Sequence, residues 1–210
     1  MNRRHIIAIG LLSCADCLPL ALAAQARTIL VLGDSLSAEY GLTRGSGWVA
    51  LLEQRLREQG IAAQVINASI SGDTTSGGRS RLGALMQQHR PSHVIIELGG
   101  NDALRGLPLA LTQDNLTHMT QTASSAGAKV MLIGMQMPPN YGKDYNAQFG
   151  AMYAQVAKSN KARLVPFFLK GIADAPQSES LFQADRIHPN AQAHPLMLDA
   201  VWPELKRLLK

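Results

Sequence analysis

The sequence predicts an α/β protein with a flavodoxin-like, doubly wound fold, in which three layers are built on a central parallel sheet of five strands. Three observations lead to this prediction. Short apolar segments alternate along the chain with longer segments whose apolar residues recur at helical spacing. The short segments are almost continuously apolar, as in strands that are covered on both faces. Polar motifs follow these segments, at the edge where such folds bind ligands.

Each predicted element has its own start or stop signal. The strands are apolar runs that end at glycine or polar residues, and the helices end at glycine or before proline. In chain order the elements are strand Thr28–Leu32, helix Trp48–Gln59, strand Gln64–Ala68, helix Thr75–Gln88, strand His93–Leu98, helix Leu109–Ser125, strand Lys129–Met135, helix Tyr145–Asn160, strand Arg163–Phe168 and a largely helical segment Pro189–Leu209.

The first 26 residues have the layout of a secretory signal peptide. Arg3 and Arg4 precede apolar runs, and small residues follow. We therefore expect residues 1–26 to be removed by cleavage between Ala23 and Ala26, and residues 27–210 to form one domain in the periplasm or outside the cell. A retained membrane anchor is the alternative, but Asp16 interrupts runs that are far shorter than the roughly 20 residues a span requires.

Composition excludes several kinds of site. Cys14 and Cys17 both lie in the predicted leader, where Cys14 leaves a lipidation site as a weaker alternative. Cleavage would remove disulfide and thiolate chemistry. His89 and His93 have the spacing of a zinc pair, but Pro91 stands between them. The basic residues behind the net charge of +5 are scattered, which argues against nucleic-acid binding. We expect neither a metal nor a cofactor.

Four polar motifs follow predicted strands or stand near the C-terminus. Each is commonplace alone, because a serine can cap a helix and a glycine or asparagine can form a turn. The motifs are Gly33–Ser37, Ser71–Thr74, Gly99–Asp102 and Asp185–Pro189.

Together the motifs meet the requirements of acyl transfer, which needs a nucleophile, a base, a group that orients the base, and donors for an oxyanion. Ser35 supplies a hydroxyl and His188 an imidazole. Asp185 stands three residues before His188 and can fold back to fix its tautomer. Gly72 offers a bare backbone N–H, and Asn101 a side-chain amide.

These blocks resemble those of the SGNH, or GDSL-type, hydrolase family, which is named for Ser, Gly, Asn and His in four blocks. Here the blocks are Gly33–Ser37, Gly72, Gly100–Asp102 and Asp185–His188, in the family's order. From the first to the last, they span nearly all of the predicted domain, so the match as a set is highly specific.

The resemblance implies a role for each residue. Ser35, Asp185 and His188 would form a catalytic triad, and the Ser35 N–H, the Gly72 N–H and the Asn101 side chain an oxyanion hole. The implied activity is hydrolysis of acyl esters or thioesters by a monomer, without a membrane span after cleavage. An O-acetyl esterase acting on carbohydrate and a non-catalytic lipid-binding domain are the alternatives. An α/β-hydrolase fold is disfavoured because Gly33–Ser37 lacks the second glycine of its nucleophile elbow.

Finer features resemble the bacterial periplasmic group of thioesterases, lysophospholipases and arylesterases. That resemblance implies a small acyl ester, thioester or lysophospholipid as substrate. One departure is Ala103, where that group has glycine, and we expect alanine to stiffen the loop after Asn101 and alter the substrate range. The features are Gly45–Trp48, Asn67–Thr74, Glu97–Asp102 and Pro138–Gly142.

Overall fold

The computed structural model describes residues 27–210, so the predicted signal peptide lies outside the described residues. The described chain contains a five-stranded parallel sheet with the strand order β2-β1-β3-β4-β5. This result confirms the predicted fold class. The strands are β1 (Arg27–Gly33), β2 (Ala63–Asn67), β3 (His93–Glu97), β4 (Lys129–Ile133) and β5 (Arg163–Val165).

Helices cover both faces of the sheet. One face carries α1 and α6, and the other carries α2, α4 and α5. Two 3-10 turns, Pro139–Tyr141 and Ser178–Leu181, lie in the connections. The α-helices are α1 (Trp48–Glu58), α2 (Thr75–His89), α3 (Gly100–Leu104), α4 (Leu109–Ser125), α5 (Lys143–Ser159) and α6 (His194–Leu208).

The apolar run of β1 explains why the chain forms a covered parallel strand. Side chains alternate between the two faces of a strand. Ile29 and Val31 pack in the core under α1 and α6, whereas Leu30 and Leu32 pack in the core under α2, α4 and α5. All four side chains are fully buried. A strand that is apolar at every position therefore fits the centre of a three-layer fold.

The strand order reverses at β1, because the chain runs outward to β2 and then returns to place β3 on the other side. In doubly wound folds, the crevice at the carboxyl ends of the strands beside such a reversal is the usual ligand site. The predicted motifs with Ser35, Gly72 and Asn101 follow β1, β2 and β3 respectively. The topology thus brings three of the four motifs to one edge of the sheet.

The structure differs from the prediction near the motifs. The sequence did not predict α3, since five residues are too few to show helical periodicity. The last helix begins at His194 rather than Pro189, because Pro189 forms a β-bridge with Phe182 and the Asn190 carbonyl closes a turn with the Ala193 N–H. Both differences lie at the edge that carries the motifs.

Among residues 27–210, no helix combines the length and the apolar character that crossing a membrane requires.

Candidate active site

The structure brings the predicted nucleophile and base together. Ser35 Oγ lies 3.0 Å from His188 Nε2, although 153 residues separate them in the chain. His188 Nδ1 lies 2.7 Å from Asp185 Oδ2. When Nδ1 carries the ring proton and donates it to the carboxylate, Nε2 is free to accept from the serine hydroxyl. The three side chains therefore form one continuous hydrogen-bonded chain.

The Asp185 carboxylate is fixed by its own turn. Its Oδ1 accepts hydrogen bonds from the backbone N–H groups of Ile187 and His188, at 2.9 and 3.0 Å. The backbone bond from His188, followed by the side-chain bond from the same residue, lowers the pKa of Asp185 to about 2. The carboxylate consequently stays ionised at neutral pH and keeps the imidazole in one orientation.

Residues outside the predicted motifs attach this turn to the nucleophile's loop. The Gln183 N–H donates to the His188 carbonyl at 2.8 Å, and Gln183 Nε2 donates to the Tyr40 carbonyl at 2.9 Å and the Pro189 carbonyl at 3.1 Å. The Tyr40 ring lies 4.3 Å from the His188 ring, between centroids. Tyr40 and Gln183 were missed in the sequence because isolated polar or aromatic loop residues carry no periodic signal.

Asn101 also lies beside the nucleophile. It occupies the first turn of α3, directly after β3, and its Nδ2 donates to Asp34 Oδ2 at 2.9 Å. Asp34 immediately precedes Ser35, so this bond joins the third motif to the first. An amide nitrogen has two hydrogens, and the bond to Asp34 uses one of them.

The Gly72 loop is joined to the same edge. The Ile70 N–H donates to the Gly33 carbonyl at 3.0 Å, and Arg105 donates from Nη2 to the Gly72 carbonyl at 2.8 Å. Gly72 has a φ of 78°, in the left-handed region that disfavours side chains. A Cβ at this position would meet only Arg105, at 3.6 Å. Backbone conformation, rather than lack of space, therefore accounts for glycine here.

Two buried carboxyl groups, those of Asp34 and Glu97, lie next to the start of the loop that carries Ser35. Burial raises the pKa of Asp34 to about 6, although hydrogen bonds from Leu36 and Asn101 oppose the rise. Burial also raises the pKa of Glu97 well above its usual range, and the neighbouring Asp34 charge raises it further. Because two like charges so close together are costly in a buried site, ionisation of either carboxyl group opposes ionisation of the other.

A second serine of the first motif serves the core rather than the triad. Ser37 Oγ donates to Glu97 Oε2 at 2.7 Å and accepts from Trp48 Nε1 at 3.1 Å. Ser37, Trp48 and Glu97 are all nearly inaccessible to solvent. A Cβ on Gly33 would come within 2.8 Å of both Ser37 and Glu97, so this packing requires glycine at the end of β1.

The described residues include no group of three or more His, Cys, Asp or Glu side chains that could hold a metal ion. His93, part of the zinc pair considered from the sequence, is a buried β3 residue whose Nδ1 lies 2.9 Å from Ser92 Oγ. Its environment is that of a core histidine.

Two surface hollows lie away from Ser35. One of about 150 Å³ lies between α1 and α6 and is lined by Leu51, Arg55 and Leu198. A larger one of about 460 Å³ lies at the amino ends of β4 and β5, beside Lys129 and Arg163. Neither is lined by a residue of the predicted triad. The side-chain geometry at the carboxyl edge of the sheet, rather than either hollow, therefore marks the candidate site.

Similarity to known proteins identifies the family of this chain. The sequence profile of the GDSL-like Lipase/Acylhydrolase family matches residues 31–196. The chain belongs to this family. The resemblance found in the sequence is thereby confirmed, and so is the enzyme class, since the relatives of this family member are named as ester-hydrolysing enzymes.

Two relatives and one solved structure illustrate the similarity of this GDSL-like hydrolase to known proteins. Esterase TesA of Pseudomonas aeruginosa is 50% identical over 198 residues, covering 93% of this chain and 97% of the relative. Thioesterase 1/protease 1/lysophospholipase L1 of Escherichia coli strain K12 is 42% identical over 187 residues, covering 89% of this chain and 87% of the relative. A crystal structure of TesA is 51% identical, with a TM-score of 0.83, and covers 87% of this chain and 99% of that one.

Ala103 is the position at which this GDSL-like hydrolase departs from the glycine expected from the sequence resemblance. The structure places it in helix α3 rather than in a loop, and its side chain is buried in the core under α2, α4 and α5. Its methyl group therefore packs against the interior. The expected effect on substrate range would have to act through the position of α3.

The raised pKa of Asp34 predicts a pH-dependent stability. The folded protein holds the Asp34 proton more tightly than the unfolded chain, so this contribution to stability is present at low pH and is lost as pH rises from about 4 through about 6. Asp34→Asn removes the carboxyl group and therefore this pH-dependent contribution to stability. When the pH is raised from 4 to 8, the free energy of unfolding of the variant should increase relative to that of the native protein by on the order of 2–3 kcal/mol.

Urea unfolding of both proteins at several pH values measures this difference. Asp185→Asn is a control, since the pKa of Asp185 is lowered and its contribution is lost only as pH falls below about 4. The difference in stability between this variant and the native protein should therefore stay constant between pH 4 and pH 8. A stability difference between native protein and Asp34→Asn that stays constant with pH would contradict the raised pKa.

Proposed function

We propose that this chain is an exported serine esterase that hydrolyses acyl esters and thioesters. One observation carries the proposal: Ser35 Oγ lies within hydrogen-bonding distance of His188 Nε2, while His188 Nδ1 is bonded to Asp185. This is the arrangement that activates a serine hydroxyl for attack on a carbonyl carbon. The relatives are named for esterase, thioesterase and lysophospholipase activities, which supports the same chemistry here.

The proposed reaction proceeds in two halves. Ser35 Oγ attacks the acyl carbon as His188 Nε2 takes the hydroxyl proton, and Asp185 stabilises the resulting imidazolium. The oxyanion is stabilised by the Ser35 and Gly72 N–H groups and by Asn101 Nδ2. His188 then gives its proton to the departing alkoxide or thiolate, leaving an acyl-serine. In the second half, water attacks the acyl carbon as His188 takes its proton. The bond between the acyl carbon and Ser35 Oγ then breaks, the acid leaves, and His188 returns the proton to Ser35 Oγ.

Exposed apolar side chains favour a fatty acyl group over a sugar. Four such side chains lie on the loops and on the short helix α3 that carry the proposed catalytic residues, and each is about half exposed. Scattered exposed apolar residues are ordinary, but four at the same edge provide a surface for methylene groups. The four are Tyr40, Ile70, Leu104 and Ile187.

A panel of p-nitrophenyl esters, acyl-CoAs and lysophospholipids tests this proposal. Each fully buried methylene group contributes about 0.8 kcal/mol, and groups on an open surface contribute less. We expect kcat/KM for p-nitrophenyl octanoate to exceed that for the acetate by at least about tenfold. Activity confined to acetyl esters would favour the carbohydrate O-acetyl esterase, and no turnover of any ester would favour a lipid-binding domain.

The choice between ester and thioester is tested within the same panel. Acyl-CoAs and p-nitrophenyl esters of the same acyl group share the attacked carbon and differ in the leaving group. Comparison of their kcat/KM values therefore measures leaving-group preference without a change in the acyl site.

The proposed location is the periplasm or the exterior, and the proposed functional form is a monomer. Residues 1–26 support export through the arrangement of Arg3, Arg4, the apolar runs and the terminal alanines. Sequencing the N-terminus of protein recovered from the periplasm tests the predicted cleavage between Ala23 and Ala26.

A further inference from the structure

Asp34 is a polar residue of the first motif that the proposed mechanism does not use. We propose that Asp34 is a positioning residue, whose carboxylate holds the Asn101 side chain so that its amide N–H, rather than its carbonyl, is presented to the oxyanion. The inference rests on the proposed function, because it assigns Asp34 an effect on one of the proposed oxyanion donors.

An asparagine amide can present either of its ends. The oxygen and the nitrogen are similar in size, but one accepts and the other donates. An amide turned the wrong way would place an oxygen against the developing negative charge and would raise the barrier instead of lowering it. Neighbouring groups must therefore choose the orientation of Asn101.

The ionised Asp34 carboxylate can make that choice because it only accepts hydrogen bonds. Its Oδ1 is occupied by the Leu36 N–H at 3.1 Å, which leaves Oδ2 for Asn101 Nδ2 at 2.9 Å. With one amide hydrogen held by Asp34, the second remains for an oxyanion. The same bond stops rotation of the amide about its last side-chain torsion.

The Asp34 residue is itself fixed by its backbone and by burial. The Asp34 carbonyl accepts from the N–H groups of Ser37 and Ala38, at 3.2 and 2.9 Å. Only 4% of the Asp34 surface is exposed, so water does not compete effectively for its oxygens. Hydrogen bonds are stronger in such surroundings than in solvent. Asp34 is therefore a rigid and strong acceptor at the base of Asn101.

Asp34→Asn separates positioning from a structural role. The amide that this substitution introduces has one oxygen, which can take the position of Oδ1 beside Leu36 or that of Oδ2 beside Asn101, but not both. The bond to Leu36 can persist and the buried charge disappears, so the variant should fold. The new N–H₂ group would then face Asn101 and favour the wrong orientation of the Asn101 amide.

A double-mutant cycle is the test, with native protein, Asp34→Asn, Asn101→Ala and the double variant assayed on one ester. Asp34→Asn should lower kcat by about 10- to 100-fold and change KM by less than about twofold. In the Asn101→Ala background, the same change should lower kcat by less than about threefold. An equal loss in both backgrounds, or an unchanged kcat for Asp34→Asn, would overturn the inference.

Asp102→Asn is the matched control. Asp102 is a fully buried aspartate next to Asn101, and it accepts from the Thr75 N–H at 2.9 Å rather than from Asn101. Its substitution should lower kcat by the same small factor in both backgrounds. Coupling to Asn101 as large as that of Asp34 would show a general effect of buried charge and would overturn the inference.

Ser35→Ala, assayed beside the four proteins of the cycle, distinguishes this inference from the proposed function. If Ser35→Ala retains turnover, the nucleophile is wrong and the proposed function fails. If Ser35→Ala is inactive and Asn101→Ala is impaired, but Asp34→Asn is additive with it, only the role of Asp34 fails.

A measurement on the native protein needs no folded variant at position 34. The two side-chain amide protons of Asn101, assigned by their loss in Asn101→Ala, should give separate NMR signals, one of them protected from exchange with solvent. Protection would support the bond to Asp34. Two rapidly exchanging protons would overturn it.

Discussion

Replacement of Ser35 by alanine is expected to lower kcat by roughly 10⁴- to 10⁶-fold while the protein stays folded. The substitution removes the oxygen that lies 3.0 Å from His188 Nε2, so no acyl-serine can form. The backbone N–H of residue 35, Gly72 and Asn101 remain available to an oxyanion, and they account for the residual rate. Initial rates on a p-nitrophenyl ester and a thermal melt of the same preparation measure both quantities.

Ser37→Ala is the matched control, because Ser37 stands in the same motif but bonds to Glu97 and Trp48. Its loss leaves Trp48 Nε1 without its partner and removes one hydrogen bond from Glu97 Oε2, which still accepts from the Asp34 N–H at 3.4 Å. This change costs roughly 1–3 kcal/mol of stability. Activity per folded molecule should change by only a few fold, and a fluorophosphonate should still label Ser35. If Ser37→Ala lost activity and labelling while Ser35→Ala kept them, the nucleophile would be Ser37.

Asn101→Ala is expected to lower kcat by about 10²- to 10³-fold with little change in KM. A donor to an oxyanion acts mainly in the transition state, because the ground-state carbonyl carries less charge. Two backbone donors, at Ser35 and Gly72, would remain. Measurement of kcat, KM and melting temperature on one preparation separates this role from a purely structural one.

A structural role for Asn101 makes the opposite prediction. If the side chain only stabilised the start of α3, Asn101→Ala would lower the melting temperature and leave kcat per folded molecule nearly intact. Leu104→Ser is a suitable control in the same helix, since Leu104 is largely exposed and makes no bond to Asp34. It should keep its kcat on a short ester, where contacts with a long acyl chain are absent.

Much of the fold could be predicted from the sequence because its signals are local. The apolar run of β1 and the helical spacing of α1 are visible within a dozen residues, and the glycines after them mark where they end. Helix α3 could not be predicted in this way, since a helix of one turn has no period to detect. The extended Pro189 depends on its bridge to Phe182, which local sequence does not show.

In the candidate site, too, contacts between neighbouring residues could be predicted, whereas contacts between distant residues could not. Asp185 and His188 stand three residues apart, so their contact could be foreseen from spacing alone. The pairing of Asp34 with Asn101 joins positions 67 residues apart, and nothing in either motif indicates it. Gln183, which ties the His188 turn to Tyr40, gave no signal at all.

By itself, the sequence predicted most of the elements, the family and the residues of the proposed site, because apolar periodicity and motif chemistry are properties of short segments. Only the tertiary structure decided which groups meet. Strand order and register set the 3.0 Å between Ser35 and His188 across 153 residues. Burial also sets the pKa of Asp34. The pKa is raised because the carboxyl group loses the water around it, and that loss exists only after the layers have packed.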